Sequence, residues 1–156
     1  MISLVKRATP AAIAVLRQST AICPKRNKAS DGLLPSAAHI KASPNSDHNT
    51  GFAVDLTHDP VNGIDCAVIY LKLKKDKRVK YLIFKGRIWS KEKGSKKYTG
   101  SNQHEKHLHI SIKDECGEDT SPWFPWLAKP KTINKVRAKF PKPLPKKKET
   151  KCRNSN

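Results

Sequence analysis

The sequence predicts an α+β domain, a small antiparallel sheet with helices packed on one face. Three observations predict it. Residues 52–57 and His107–Ile112 alternate between apolar and polar or small side chains, the period of a strand with one buried face. Val79–Phe84 and Arg87–Ser90 flank a tight Lys85-Gly86 connection, which reads as a hairpin. Residues 8–20 and 64–76 carry apolar side chains at helical intervals.

Each element has its own signal. In the first helix Thr9 is placed to cap, Pro10 suits the first helical position, and Ile13 and Leu16 are spaced i, i+3. Residues 23–50 are rich in Pro, Ser, Asn, Asp and Gly and read as a structured loop. Asp59-Pro60-Val61-Asn62-Gly63 is a turn. The second helix follows, with Asp65 as its cap, Ile64, Val68 and Leu71 on its buried stripe, and Lys72, Lys74 and Lys75 towards solvent. Residues 91–103, rich in Lys, Gly and Ser, read as an exposed loop. Trp123, Phe124 and Trp126, set among prolines, read as an apolar anchor.

Length and charge bound the function. A chain of 156 residues has room for one domain. Residues 1–128 are expected to form it. Residues 129–156, with 11 Lys/Arg against Glu149 and with Pro141, Pro143 and Pro145, are expected to be a flexible basic tail. With 32 Lys/Arg against 13 Asp/Glu, the net charge is +19. That excludes a neutral globule and favours a polyanionic partner: nucleic acid, an anionic membrane surface or an anionic cell wall. No apolar run is long enough for a membrane span. The apolar stretch 11–16 is short, bracketed by Pro10 and Arg17, and reads as helix rather than leader. Cys23, Cys66, Cys116 and Cys152 include no CxxC pair, so a zinc ribbon is not expected and free thiols are.

Chemistry concentrates in two segments, 46–55 and 104–109. Asp55 lies on the strand face opposite Phe52, Val54 and Leu56, and His107, His109 and Ser111 lie opposite Leu108, Ile110 and Ile112. If these strands are neighbours, Asp55 and His109 meet. His48 precedes Asp55 by seven residues, and Gly51 lets the chain turn back. Two histidines and a carboxylate suit a catalytic zinc that keeps a position open. His107, two residues from a ligand on the same face, is placed to act as a general base or to stabilise an oxyanion. His39, His58 and His104 read as structural or surface residues, although His39 and His58 could also orient ligands.

Ser46, His48, Gly51, Ala53 and Asp55 complete an SxHxxGxAxD pattern. In this the chain resembles the zinc D-alanyl-D-alanine peptidases of the hedgehog/D,D-peptidase fold. The His107-x-His109 pair resembles the penicillin-insensitive murein endopeptidase branch. Pro24-Lys25-Arg26, Ser30-Asp31-Gly32, Ala38-His39 and Asp55 to Pro60 look like small phage-type members. The resemblance covers roughly residues 8–127.

The resemblance implies a hedgehog/D,D-peptidase-like fold and a zinc peptidase acting on the peptide part of bacterial peptidoglycan, as a phage lysin or virion-associated enzyme. Carried over residue by residue, His48, Asp55 and His109 would hold Zn2+. His107 would act on the substrate, and Arg26 and Ser46 would bind a substrate carboxylate. Its partners would be the peptidoglycan stem peptide and, through the basic surface, anionic wall or outer-membrane polymers, with nucleic acid bound only non-specifically. It would be made in the host cytoplasm and act at the wall. One departure stands out: carboxypeptidase-type members carry a Glu three residues before the last His ligand, where this chain has Lys106. Either His107 takes the base role or a bulge brings in Glu105. The bond cleaved stays open.

Two competing readings remain. Charge alone would suit a basic nucleic-acid-binding protein, but no RRM, OB or helix-turn-helix signature is present. The Lys106 departure leaves room for a pseudo-enzyme that only binds wall peptide.

Overall fold

A computed structural model describes residues 7–127. The expected tail lies outside the described residues. The fold is α+β: α1 (Pro10–Ile22), α2 (Ala37–Ala42), β1 (Ala53–Thr57), α3 (Cys66–Leu73), β2 (Val79–Phe84), β3 (Arg87–Ser90), β4 (Gly94–Lys97) and β5 (His107–Ile112). The five strands form one antiparallel sheet in the order β1-β5-β2-β3-β4. The last strand therefore sits between the first and second. Its sequence suits that place, because Leu108, Ile110 and Ile112 are fully buried on one face while His109 and Ser111 are buried on the other.

Helices α1 and α3 cover a single face. Val54, Leu56, Leu82, Leu108, Ile110 and Ile112 pack there against Ala11, Ala12 and Val15 of α1 and Ile69 and Leu73 of α3. Side chains of β1 and β5 alternate between the faces as expected, with Asp55, His107 and His109 on the one opposite the helices, but burial does not alternate, because Ala53, Thr57, His109 and Ser111 are buried on that face too. The Thr9 side chain caps α1 and Pro10 occupies its first turn. Asp65 caps α3 by accepting from the backbone N–H groups of Ala67 and Val68.

Two expectations need correction. The buried stripe of α3 is Cys66, Ile69, Tyr70 and Leu73, whereas Val68 and Leu71 are 44% and 61% exposed. Ile64 is buried but precedes the helix, where it bridges Asp59. The helix starts two residues later than its apolar pattern suggests, which rotates the inward face. Residues 94–97, expected in a loop, form the edge strand β4. Its all-exposed Gly-Ser-Lys-Lys sequence carries no burial signal, and lysines on an edge discourage further strand pairing.

The aromatic anchor is as expected. Trp123 is fully buried and donates its indole N–H to the Ala11 carbonyl at 3.1 Å, and Phe124 is buried beside it. The buried Arg78 guanidinium lies 3.6 Å from the centre of the Trp123 ring and bonds Asp76 and the carbonyls of Ser121 and Pro122, fastening this segment to the start of β2. Cys23, Cys66 and Cys116 are free thiols, and burial pushes that of Cys66 up to about 12. Among the described residues no helix is long and apolar enough to cross a membrane.

The phase of α3 makes a measurable difference. Leu73→Ala is expected to destabilise the fold by about 2–5 kcal/mol through lost burial and a residual cavity. Leu71→Ala should stay within about 0.5 kcal/mol. Denaturant titration of the two variants compares them directly, and equal losses would contradict the assigned face.

Candidate metal centre

The site lies on the sheet face that the helices leave uncovered. Pairing of β1 with β5 puts Asp55 directly opposite His109, with Thr57 opposite His107 on the same side. His109 Nδ1 is 3.1 Å from Asp55 Oδ1. On the outer side of β1, Gly32 forms an isolated bridge with Asp55, exchanging both backbone hydrogen bonds at 2.8 and 3.1 Å. A Cβ at residue 32 would sit 3.2 Å from Asp55 Oδ2, so the glycine keeps the carboxylate free.

His48 arrives from a 3₁₀ turn, Asp47–Thr50, and every end of that turn is tied down. The Ser46 hydroxyl accepts the His48 backbone N–H at 3.3 Å, capping the turn. Asp47 accepts from the Ser111 hydroxyl on β5 and from Lys80 Nζ at 3.0 Å, pinning the turn to the sheet. Gly51 ends it with φ 80°. A Cβ there would strain the left-handed backbone and meet the Arg7 carbonyl at 2.8 Å. The His48 side chain donates Nδ1–H to the Leu33 carbonyl at 2.8 Å. That bond directs Nε2 at Asp55 Oδ1, 3.2 Å away.

One ligand atom each from His48, Asp55 and His109 lies within 4.8 Å of the others. The Nε2 atoms of His48, His107 and His109 are buried without a hydrogen-bond partner. Unpaired buried imidazole nitrogens are costly in a protein interior. Converging on a carboxylate, they are the donor set of a zinc or related borderline cation, so the residues fit a metal. The Leu33 carbonyl supplies the outer contact that fixes a ligand's tautomer.

The electrostatics agree. Burial works against ionisation of Asp55, but His109 and His48 outweigh it and hold the carboxyl well below the usual range. Burial also opposes charge on His48, yet the Asp55 carboxylate and the Leu33 carbonyl leave it above its ordinary value. Burial pulls His107 down, and Asp55 only partly offsets it. His107 therefore favours the neutral form, the form that accepts a proton. It is half-buried, with Nε2 3.7 Å from Asp55 Oδ2.

The structure brings His48, Asp55, His107 and His109 together and places the other expected residues elsewhere. Arg26 is a correction. Its buried guanidinium grips Asp31 with both arms, at 2.5 and 2.9 Å, and bonds Thr20 and Asn27, leaving no fork for a substrate carboxylate. Asp31 also accepts from the N–H and hydroxyl of Thr57, so the pair braces the end of β1. Ser46 serves as the cap described above. Glu105 and Lys106 are exposed, and Glu105 belongs to neither cluster of possible ligands. No bulge brings it in. His58 lies outside the centre and accepts the Cys66 backbone N–H at 3.1 Å at the start of α3.

Two residues gain weight. His104 is buried, its ring 4.8 Å from that of His107 and 5.5 Å from that of His109. The sequence reads it as a structural or surface residue; the signal that could have found it is the His104-x-x-His107-x-His109 spacing. Tyr81 stacks on the His109 ring at 5.4 Å and steadies it from β2. His39, with its ring 5.8 Å from His48, lines a cleft of about 180 Å³ that opens onto His48 and Asp55 beside Gly32, Leu34 and Ser36. A larger hollow of about 900 Å³ runs along α1 and Arg26, but none of the candidate ligands lines it.

Among known families, the model described as VldE, C-terminal domain, matches residues 5–109, well over half of the chain. The chain belongs to that family. The matched span includes every histidine and carboxylate of the centre. No curated protein and no solved structure matches the chain.

The placement of Arg26 is testable. Asp31→Ala strands a buried guanidinium and is expected to cost about 3–5 kcal/mol. Combining Arg26→Met with Asp31→Leu should recover most of that loss. Thermal unfolding of the three proteins checks this, and a single Asp31→Ala variant as stable as the parent would contradict it.

Proposed function

We propose that this member of the VldE C-terminal domain family is a zinc-dependent peptidase acting on the peptide part of bacterial peptidoglycan. The observation that carries the reading is the convergence of His48, Asp55 and His109 with buried, unpartnered imidazole nitrogens. The resemblance of residues 46–55 to the SxHxxGxAxD pattern supports the choice of peptide substrate.

In this reading His48, Asp55 and His109 hold the ion. Zinc bound there supplies Lewis acidity towards a peptide carbonyl and lets nearby water ionise at near-neutral pH. The protein's own groups do the rest. The Leu33 carbonyl keeps His48 in the tautomer with Nε2 free. Tyr81 and the sheet hold His109 in place. His107, neutral and unpartnered at Nε2, takes the proton of the attacking water and returns it to the leaving amine. The cleft beside His39 and Gly32 admits the substrate. The net charge of +19 supports long-range attraction to anionic wall polymers and so the reading of a phage-type lysin acting at the wall.

The direct test is digestion of purified peptidoglycan with mass spectrometry of the fragments, whose new termini identify the bond. Metal removal should abolish product formation and zinc should restore it. His48→Ala should lose zinc and activity together. His107→Ala should keep the zinc and lower turnover by roughly 10²–10⁴. If chelated and zinc-reloaded protein release the same fragments, or if neither releases any, the proposal fails.

A further inference from the structure

The imidazoles around Asp55 fall into two sets, one for each carboxylate oxygen. Oδ1 faces His48 and His109, at 3.2 and 3.1 Å, and Oδ2 faces His107 at 3.7 Å. Ligand atoms of Asp55, His104 and His107 also lie within 4.8 Å of one another, as a second possible cation cluster. His104 is more than nine-tenths buried, yet its Nδ1 has no hydrogen-bond partner, and neither does His107 Nε2.

The backbone is bent to put His104 there. Its φ is 56°, in the left-handed region that a residue with a side chain enters at a cost. The conformation is held from both sides. The His104 carbonyl accepts the Lys85 N–H at 3.2 Å, and the His104 N–H donates to Asn102 Oδ1 at 3.1 Å. A strained backbone that delivers an unpaired imidazole into a buried cluster calls for a ligand. The mononuclear centre above leaves His104 without one.

We propose that His104, His107 and Asp55 Oδ2 form a second, weaker site for a borderline divalent cation such as zinc or cobalt, with Asp55 bridging the two positions. The inference rests on the reading of His48, Asp55 and His109 as the first site. A carboxylate shared between neighbouring cations matches the close spacing of two-metal centres, about 3.5–4 Å. Two features make the second site the weaker one. His48 has an outer hydrogen bond from its other ring nitrogen fixing its tautomer, whereas the hydrogen bonds among the described residues include none from the imidazole of His104 or His107, and such contacts are worth about 10–100-fold in metal affinity. Two cations sharing one carboxylate also repel each other.

Occupation of the second site has a functional consequence. It commits His107 Nε2 to a ligand bond, so His107 no longer accepts a proton. Zinc beyond one equivalent should therefore slow the reaction that the first equivalent supports.

Equilibrium dialysis of the full chain against a graded series of buffered zinc concentrations, with bound metal measured by elemental analysis, tests the site without an activity assay. The wild type should bind two equivalents in steps separated by about 10–100-fold. His104→Gln and His107→Gln should each lose the weaker step and keep the tighter one. Circular dichroism identifies a variant that has unfolded, and the other then decides. A single step in the wild type, or a second step that survives in either folded variant, overturns the second site while leaving the first intact. Absence of any zinc binding overturns both, and His48→Ala, which should remove the tighter step, tells the two failures apart.

Discussion

The pairing of β1 with β5 is the constraint on which the site depends. Because the two strands are antiparallel neighbours in one register, Asp55 and His109 face each other, and the same register buries Val54, Leu56, Leu108 and Ile110 on the other side. A slip of one residue would turn both sets over, exposing the apolar residues and burying the carboxylate in the core. The hydrophobic effect thus fixes the geometry of the polar face. Four fully buried aliphatic side chains, each worth about 1.5–3 kcal/mol on burial, hold a cluster of imidazoles that have no favourable arrangement of their own.

The polar face in turn is bound to the rest of the chain by groups that do no chemistry. Asp47 ties the His48 turn to β5 and β2 through Ser111 and Lys80. Gly32 pairs with Asp55, and its neighbour Asp31 carries the Arg26 pair that braces Thr57. The turn before β1 is therefore tied to β2 by an ion pair, and the far end of β1 is held by hydrogen bonds from Thr57 to Asp31. Residues 23–50, rich in loop-forming types, combine local turns with a few backbone bonds to the site, between Gly32 and Asp55 and between the Leu33 carbonyl and His48.

Much of this was legible in the sequence, and the misses have physical causes. Period-two alternation in β1 and β5 was readable because each strand turns aliphatic side chains to the helices and mostly polar ones to the other face. The caps Thr9 and Asp65 were readable because their chemistry is local. The face of α3 was misread because Ile64 belongs to the preceding bridge, and an apolar pattern does not say where the helix begins. The strand β4 left no trace, since an exposed edge buries nothing. Arg26 looked like a carboxylate binder because that is what a guanidinium does. Its partner Asp31 lies five residues away, and only the fold shows that the two meet under β1. His104 reads as a structural or surface residue because a lone histidine outside a strand carries no sign of where its ring points. A backbone turn at positive φ has no alternation to announce it.

Asp55 carries a largely buried negative charge. A carboxylate held ionised next to buried apolar strands is unfavourable unless something pays for its desolvation. Here the compensation comes from histidines, which are neutral at their ordinary value and become charged only at a cost of their own. Desolvation drives the His104 imidazole down to about 4, helped by its proximity to His109 and His107. His104 and His107 are both held towards the neutral form, so their lone pairs stay unprotonated beside the anion. The proposed divalent cation would neutralise Asp55 and accept lone pairs that have no proton to share. The arrangement is poorly satisfied as a hydrogen-bonded cluster, and its donors are the kinds that such a cation takes.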